Sequence, residues 1–587
     1  MTVEKLITDH IDIWSSALQT RSTAGRGSNG KIDLSGIKKL RELILELAVR
    51  GKLVPQDPND EPASELLKRI AAEKAELVKQ GKIKKQKPLP EISEDEKPFE
   101  LPKGWEWVRL GSICSKLTDG SHNPPKDNGS GYPMLSSQNI QNGLIDIDNP
   151  SRFVCEDGFN KENNRTLIQK GDVLLTIVGS LGRSAVVTNN AKFVLQRSVA
   201  VLTSGLLSDF LSDYFKSITA QFYFIDNGKG TAQKGIYLGQ LSQMLIPVPS
   251  FVEQERIVIK INELMSLCDQ LEQQSLTSLD AHQQLVETLL ATLIDSQNTE
   301  ELAENWARIS QHFDTLFTTE ASIDALKQAI LQLAVMGKLV PQDPNDEPAS
   351  ALLKRIEQEK AQLVKEGKIK KQKQLPPVSD EEKPFELPMG WEWIRFGEIL
   401  TELKYGTSQK CDYLTNGYPV LRIPNVVGGE ISLEDMKFGK LSEHEVKELS
   451  LEKDDLIFIR SNGSLGIVGQ CTLLRQSLVD HAYAGYLIRA RMFSDAICAE
   501  YISLMMKTVF IRDQIEKPIR TTTGVKNINS SELSNLKLAL PPLLMQKVIV
   551  EKIDVLLSFC ESLKSRLQSA QQTQLHLADA LTDAALS

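Results

Sequence analysis

LAVRGKLVPQDPNDEPASELLKRIAAEKAELVKQGKIKKQKPLPEISEDEKPFELPKGWEW occupies residues 47–107, and residues 333–393 repeat it with 49 of 61 positions identical, at an offset of 286. A second echo follows each copy: Gln254 to Leu271 aligns with Gln546 to Leu563 at an offset of 292, and Cys268 falls on Cys560. The 587-residue chain is therefore two tandem copies of one plan, a constant block followed by a variable stretch and then a helix. Between the echoes, 108–246 and 394–538 match only weakly. Two dissimilar segments are mounted on two nearly identical frames.

Working outward from the block, Ile37, Leu40, Ile44 and Leu47 have helical spacing, and Gly51 is placed to end that helix in a left-handed conformation. Ile323, Leu326, Ile330 and Leu333, closed by Gly337, repeat this. The prolines of LVPQDPNDEP enforce an extended path before a helix entering at Pro62, with Asp60 expected as its cap. Leu66, Leu67, Ile70, Leu77 and Val78 give that helix one apolar face, and Gly81 stops it. Both copies then carry the basic run GKIKKQK (81–87 and 367–373), read as a solvated helix end in preference to a phosphate contact. Connectors 88–102 and 374–388 deliver the chain to Gly104-Trp105-Glu106-Trp107 and Gly390-Trp391-Glu392-Trp393.

Beyond each Gly-Trp-Glu-Trp the pattern changes to short alternating, β-branched runs, with helices expected over 209–224 and 495–515. Each variable segment is thus a mixed α/β domain of roughly 140 residues, enough for one core. The segments end alike, Thr231, Lys234, Ile236 and Leu241 falling on Thr523, Lys526, Ile528 and Leu533. Ile257, Ile261, Leu264, Cys268 and Leu271 then step by four and three, as do Ile549, Ile553, Leu556, Cys560 and Leu563. That spacing reads as a coiled-coil seam, with amphipathic helices packed separately on each domain as the alternative, and it is expected to weaken through Ser275 and His282 and to resume at Leu285 and Leu289. Ahead of the first block, residues 1–20 are expected to be helical and 21–31 to be a connector. Gly25, Gly27 and Gly30 imitate a dinucleotide loop there, but a helix precedes them and Ile32 replaces the Ser/Thr of a phosphate loop, so a plain linker is the reading.

The net charge of −9 speaks against a polyanionic partner until it is mapped. Segment 104–249 holds 13 basic against 12 acidic residues and 390–541 holds 18 against 19, so the acidity sits in the frame. Any nucleic-acid contact must come from locally clustered Arg and Lys. Seven cysteines without a C-x-x-C pair indicate neither a disulfide framework nor a zinc site. No run of 18 apolar residues exists and the N-terminus lacks a signal-peptide pattern, so a cytoplasmic protein with no membrane partner is expected.

Catalytic signatures do not emerge. Asn123-Pro124-Pro125 is followed by Lys126 instead of an aromatic residue, no glycine-rich cofactor loop precedes it, and none of the seven histidines recurs at the repeat offset. A catalytic role duplicated with the frame should have recurred, so recognition is the expected role. The candidate contacts are glycine-punctuated loops with polar donors: Ser180 and Arg183 in Gly179-Ser180-Leu181-Gly182-Arg183, and Arg460, Ser461 and Asn462 in the loop through Gly466. Gln196, Arg197, Lys229, Thr231 and Lys234 join the first group, and Arg520, Thr521, Thr523 and Lys526 the second. Such side chains suit base edges and phosphates, although ordinary surface loops share the composition.

These pieces together resemble the DNA-specificity subunits of type I restriction-modification enzymes, and the GKLVPQDPNDEPA-type repeat resembles one immunological branch of that family. The matching residues are Leu101-Pro102-Lys103-Gly104-Trp105 and Leu387-Pro388-Met389-Gly390-Trp391, Gly171-Asp172-Val173-Leu174-Leu175, and the long helix after each segment; Asp454-Asp455-Leu456-Ile457 departs from the Gly-Asp pattern. The resemblance implies an α+β architecture: two target recognition domains, each reading half of a split asymmetric sequence in double-stranded DNA, held apart by two long helices in an antiparallel coiled coil with pseudo-two-fold symmetry. It divides the chain into 1–103, 104–249, 250–295, 296–389, 390–541 and 542–587, the frame segments and long helices alternating with the recognition domains. It also implies two modification subunits carrying S-adenosylmethionine and two restriction subunits using ATP and Mg, with no cofactor, metal or catalytic residue in this chain. A single-chain methyltransferase or nuclease, and a coiled-coil scaffold that does not bind DNA, are the competing readings.

Overall fold

A computed structural model describes residues 3–21, 31–230, 234–414, 416–493, 495–517, 520–522 and 525–587. The chain divides into two compact units, one of residues 1–19, 33–277 and 571–587, the other of 20–32 and 278–570. The glycine-rich stretch 22–30 lies outside the described residues.

Each variable segment is closed at its base. In the first unit Glu106–Arg109 pairs antiparallel with Leu245–Val248, and in the second Glu392–Arg395 pairs with Lys537–Leu540. The entering and leaving chains are zipped together, and the domain between them is further tied to its frame, in the first unit by Thr219 donating to Glu46 and Leu207 N donating to Gln254. Inside the first, Ser184–Val186, Val173–Thr176, Val199–Ser204 and Cys114–Asp119 make an antiparallel sheet in that order. Inside the second, Cys471–Leu473, Leu456–Ile459, Leu487–Met492 and Leu400–Tyr405 repeat the order and the pairing. A second sheet also recurs, with Val194–Leu195 parallel to Tyr132–Leu135 in one domain and Ala482–Tyr483 parallel to Tyr418–Leu421 in the other. The two weakly matching segments thus share one topology.

The constant block works largely as a bracket. Trp105 is buried, its indole donating to Glu253 (3.0 Å), which also accepts from Gln56 (2.6 Å); in the second unit Trp391 donates directly to Gln342 (2.7 Å). Gly51 and Gly337 adopt φ +68°, and a Cβ at either would lie 2.4 Å from Pro102 or Pro388, so glycine is required for both reasons. Arg109 is buried and its guanidinium donates to the carbonyls of Pro90 (2.8 Å), Glu91 (3.0 Å) and Gln243 (2.9 Å) and to Glu96 (2.9 Å). Arg395 does the same with Pro376 (2.6 Å), Pro377 (3.5 Å), Asn535 (3.2 Å) and Glu382 (2.7 Å). One side chain in each copy straps the proline-rich connector onto the domain it introduces.

The long helices run Phe251–Asp295 and Leu543–Leu586. The first unit holds the start of one with the end of the other, and the second unit the reverse. A frame helix joins each pair: Arg41 of Ser35–Val49 bridges to Asp269 and Glu272 (both 2.7 Å), and Lys327 of Glu320–Val335 bridges to Glu561 (2.6 Å).

Several expectations are corrected. The seam does not resume at Leu285, which is 51% exposed; Val286, Leu290 and Leu293 are buried instead, in one cluster with Leu316, Ile323 and Ile330. One residue turns a helix face by about 100°, and covering by the frame helix selects that neighbouring face. Asp60 does not cap the helix Ala63–Lys79; it pairs with Arg256 (2.5 Å), whose guanidinium holds its carboxyl below the usual carboxylate range. Residues 1–20 break into Val3–Thr8 and Ile11–Ser16, with a strand beginning at Gln19. The helices expected over 209–224 and 495–515 are each two: Ser208–Lys216 and Ile218–Asn227, then Ala499–Met505 and Val509–Glu516. Ser217 and Thr508 cap the second piece in each case, accepting from Ala220 and Ile511 (both 3.3 Å).

Candidate nucleic-acid interface

In the first domain the chain runs on past Val173–Thr176 and is gripped on both sides at Ile177, whose N–H donates to Ser198 and whose carbonyl accepts from Ile236 (both 2.9 Å). Beyond it, Gly179 N donates to the Lys234 carbonyl (2.9 Å), which sets Ser180 beside Lys234, and Lys229 joins through its ladder to Gly235 (2.8 Å). On the other side Arg197 N donates to Ser121 (3.0 Å), and the Gln196 amide donates to Ser151 Oγ (2.7 Å). Arg183 N returns to Thr176 Oγ1 (2.9 Å). The structure therefore gathers Ser180, Arg183, Gln196, Arg197, Lys229 and Lys234 around the end of one strand, with Ser180, Arg197, Lys229 and Lys234 exposed. The left-handed Gly182 (φ +81°) makes the turn, and a Cβ there would lie 2.5 Å from the Phe224 ring.

Arg460 stands at the corresponding point of the second domain. Its N–H donates to Tyr486 (2.7 Å) and its carbonyl accepts from Ile528 (2.9 Å), the residue that falls on Ile236 at the repeat offset. Ser461 and Asn462 pair with Asn527 and Lys526, and Val525–Asn527 pairs in turn with Arg520–Thr522. Two loops far apart in the sequence become one three-stranded ribbon. Thr231 and Thr523 lie outside the described residues, and Arg520 and Thr521 are placed here by their backbone.

A concavity of about 770 Å³ opens beside Arg460, and its lining includes Tyr405, Lys410, Arg422, Lys437 and Tyr486, all missed in the sequence reading. They come from four separate segments, and only the cations flanking the turn in Lys404-Tyr405-Gly406-Thr407-Ser408-Gln409-Lys410 offered a local signal. Arg422 holds the Asp435 carboxyl below its usual range through their 2.8 Å contact, and burial pushes the Cys411 thiol up. Lys437 sits 4.7 Å from the centre of the Tyr413 ring. At the equivalent register of the first domain, Asp119 replaces Tyr405 and binds both His122 and Arg165 at 2.7 Å. Identical backbone plans thus present different side chains at the same position.

No group of three or more His, Cys, Asp and Glu converges as a metal site among the described residues. Burial pushes the Cys114 and Cys471 thiols up to about 12, which leaves them inert at neutral pH. Among the described residues no helix is long and apolar enough to cross a membrane. Both strand ends thus carry hydrogen-bond donors and cations in local clusters, without bulk charge.

The family model described as the type I restriction modification DNA specificity domain matches twice, over residues 102–281 and 388–572. The chain is 52% identical to the type I restriction enzyme EcoEI specificity subunit and 49% identical to the EcoAI specificity subunit, both from Escherichia coli, with all of each chain covered. A chain of a solved type I restriction-modification system is 17% identical with a TM-score of 0.46, the match covering 83% of this chain and 99% of that one.

Proposed function

The chain belongs to the DNA-specificity subunits of type I restriction-modification enzymes, and from that premise we propose that each of its two variable domains reads one part of a split, asymmetric duplex sequence. Its role is recognition, with methylation and cleavage carried out elsewhere in the complex. The observation that carries the two-part reading is the contrast between Ile177 and Arg460, and between Asp119 and Tyr405, at matching positions of one topology. A shared backbone with exchanged side chains is what two different base readers require.

The nearly identical frames give the proposal its partners. Two modification subunits would dock on the two copies of the block, bringing S-adenosylmethionine, and two restriction subunits would bring ATP and Mg. Surface text that is repeated and largely exposed, such as Lys82 to Lys87 and Lys368 to Lys373, supports a duplicated contact. The candidate contact residues Ser180, Arg183, Gln196, Arg197, Lys229 and Lys234 in one domain, and Arg460, Ser461, Asn462 and Lys526 in the other, would divide between phosphates and base edges.

The complex of this chain with its modification subunits is expected to bind duplex DNA sequence-selectively and with a steep salt dependence. Six or more phosphate contacts lose about a thousandfold in affinity between about 50 and about 200 mM salt. Titrating labelled duplexes across that range checks it; binding indifferent to salt or to sequence contradicts the reading.

A further inference from the structure

We propose that Arg460 is the base-reading residue of the second domain and that it selects a guanine in the part of the target this domain reads; the inference rests on the two-domain reading above. Of the four cations lining the cleft, only Arg422 has a carboxylate partner among the described residues, and no carboxylate lines the cleft itself. The cleft therefore presents uncompensated donors. Arg422 is taken up by the carboxylate and carbonyl of Asp435, which leaves Arg460 as the guanidinium of the lining without a carboxylate partner among the described residues.

Its backbone is bonded on both sides, to Tyr486 and to Ile528. Its guanidinium carbon lies 4.7 Å from the centre of the Tyr405 ring, and Nη1 donates to the Gly485 carbonyl at 3.4 Å. Its Nε is buried without a partner. Tyr405 is fixed in turn, its hydroxyl accepting from Ser530 N (2.8 Å) and lying 3.2 Å from Ser530 Oγ. Gly406 permits this close packing, since a Cβ there would fall 2.2 Å from the Tyr483 carbonyl. The guanidinium is thus pre-oriented on an aromatic face, and little side-chain freedom remains to be lost on binding.

Phosphate recognition needs charge near an anion, and Lys410 and Lys437 supply it as point charges. A guanidinium fixed in its plane adds something a phosphate does not need: a fork aimed in one direction. On the major-groove edge that fork matches the paired O6 and N7 acceptors of guanine, whereas adenine offers N7 beside a donor. In the first domain Ile177 occupies the equivalent position and offers no donor. Guanine selection at this position therefore belongs to the second part of the target alone.

The test uses the assembled methyltransferase complex and a duplex library randomised across the target. The wild-type complex is expected to require guanine at one position in one part of the target. Arg460→Gln is expected to lower discrimination there by about 5- to 150-fold, the equivalent of one bidentate base contact, and to leave the other part unchanged. A uniform loss across all sequences, as expected of Lys410→Gln with its salt slope falling by about one, would place Arg460 on a phosphate and overturn the proposal. Arg460→Lys separates folding from reading: affinity restored without guanine preference supports the fork, and preference fully restored by a point charge overturns it. A wild-type complex without any sequence preference would instead sink the two-domain reading itself.

Discussion

Arg109→Ala is expected to destabilise the first unit by about 2–4 kcal/mol, seen as a fall of roughly 3 to 7 °C in the melting temperature of that unit. The side chain is buried and donates to three carbonyls, of Pro90, Glu91 and Gln243, at 2.8 to 3.0 Å. Each net bond contributes about 0.5–1.5 kcal/mol, and carbonyls left behind without water cost their desolvation as well. The bond to Glu96 is left out of this figure because that carboxylate is exposed and screened. Glu96→Gln should accordingly change the melting temperature little. The same experiment on Arg395 should reproduce the result, because the connector of the second unit is strapped by the same set of bonds. Thermal unfolding followed by calorimetry checks the prediction, and an unchanged transition in Arg109→Ala would mean that the strap is not a structural link.

Exchange of residues 104–249 for the matching segment of a relative is expected to replace one part of the recognised sequence completely and to leave the other untouched. The junction explains why the exchange should be tolerated. Glu106–Arg109 and Leu245–Val248 are paired to each other, so the graft carries both strands of its own clamp. What the frame must supply is the seat for Trp105, from Glu253 and Gln56, the proline-rich connector held by Arg109, and the acceptors Glu46 and Gln254 that bond Thr219 and Leu207. Those frame residues lie outside the exchanged segment. Methylation of duplexes carrying each part of the target separately altered measures the outcome. A change in both parts would mean that the two domains do not read independently.

The frame was legible because it is written twice. A helix ending at Gly51 and Gly337, the seam through Cys268 and Cys560, and the Gly-Trp-Glu-Trp openings all held at both copies. The shared topology of the variable domains was not legible, since its strands are two to six residues long and pair across gaps of dozens of residues. Only the terminal echo hinted at it, and Ile236 and Ile528 do make the same bond in both domains. The loops at Ser180 and Arg460 could be picked from glycine and basic residues, but their equivalence depends on the ladder. The cleft escaped entirely because Tyr405, Arg422, Lys437 and Tyr486 are brought together by β-pairing and not by spacing. The misplacement of the seam at Leu285 has the same origin: the period of a helix shows how many faces are apolar, whereas the neighbour decides which face is covered.

The central claim is that one backbone plan, built twice with different side chains, reads two different pieces of DNA. Mapping methylated adenines in the genome of a cell that expresses this chain with its modification subunits tests it most directly. The predicted result is one motif in two unlike parts separated by a fixed run of unspecified bases. A single uninterrupted motif, or a palindrome in which both parts are the same, would contradict it.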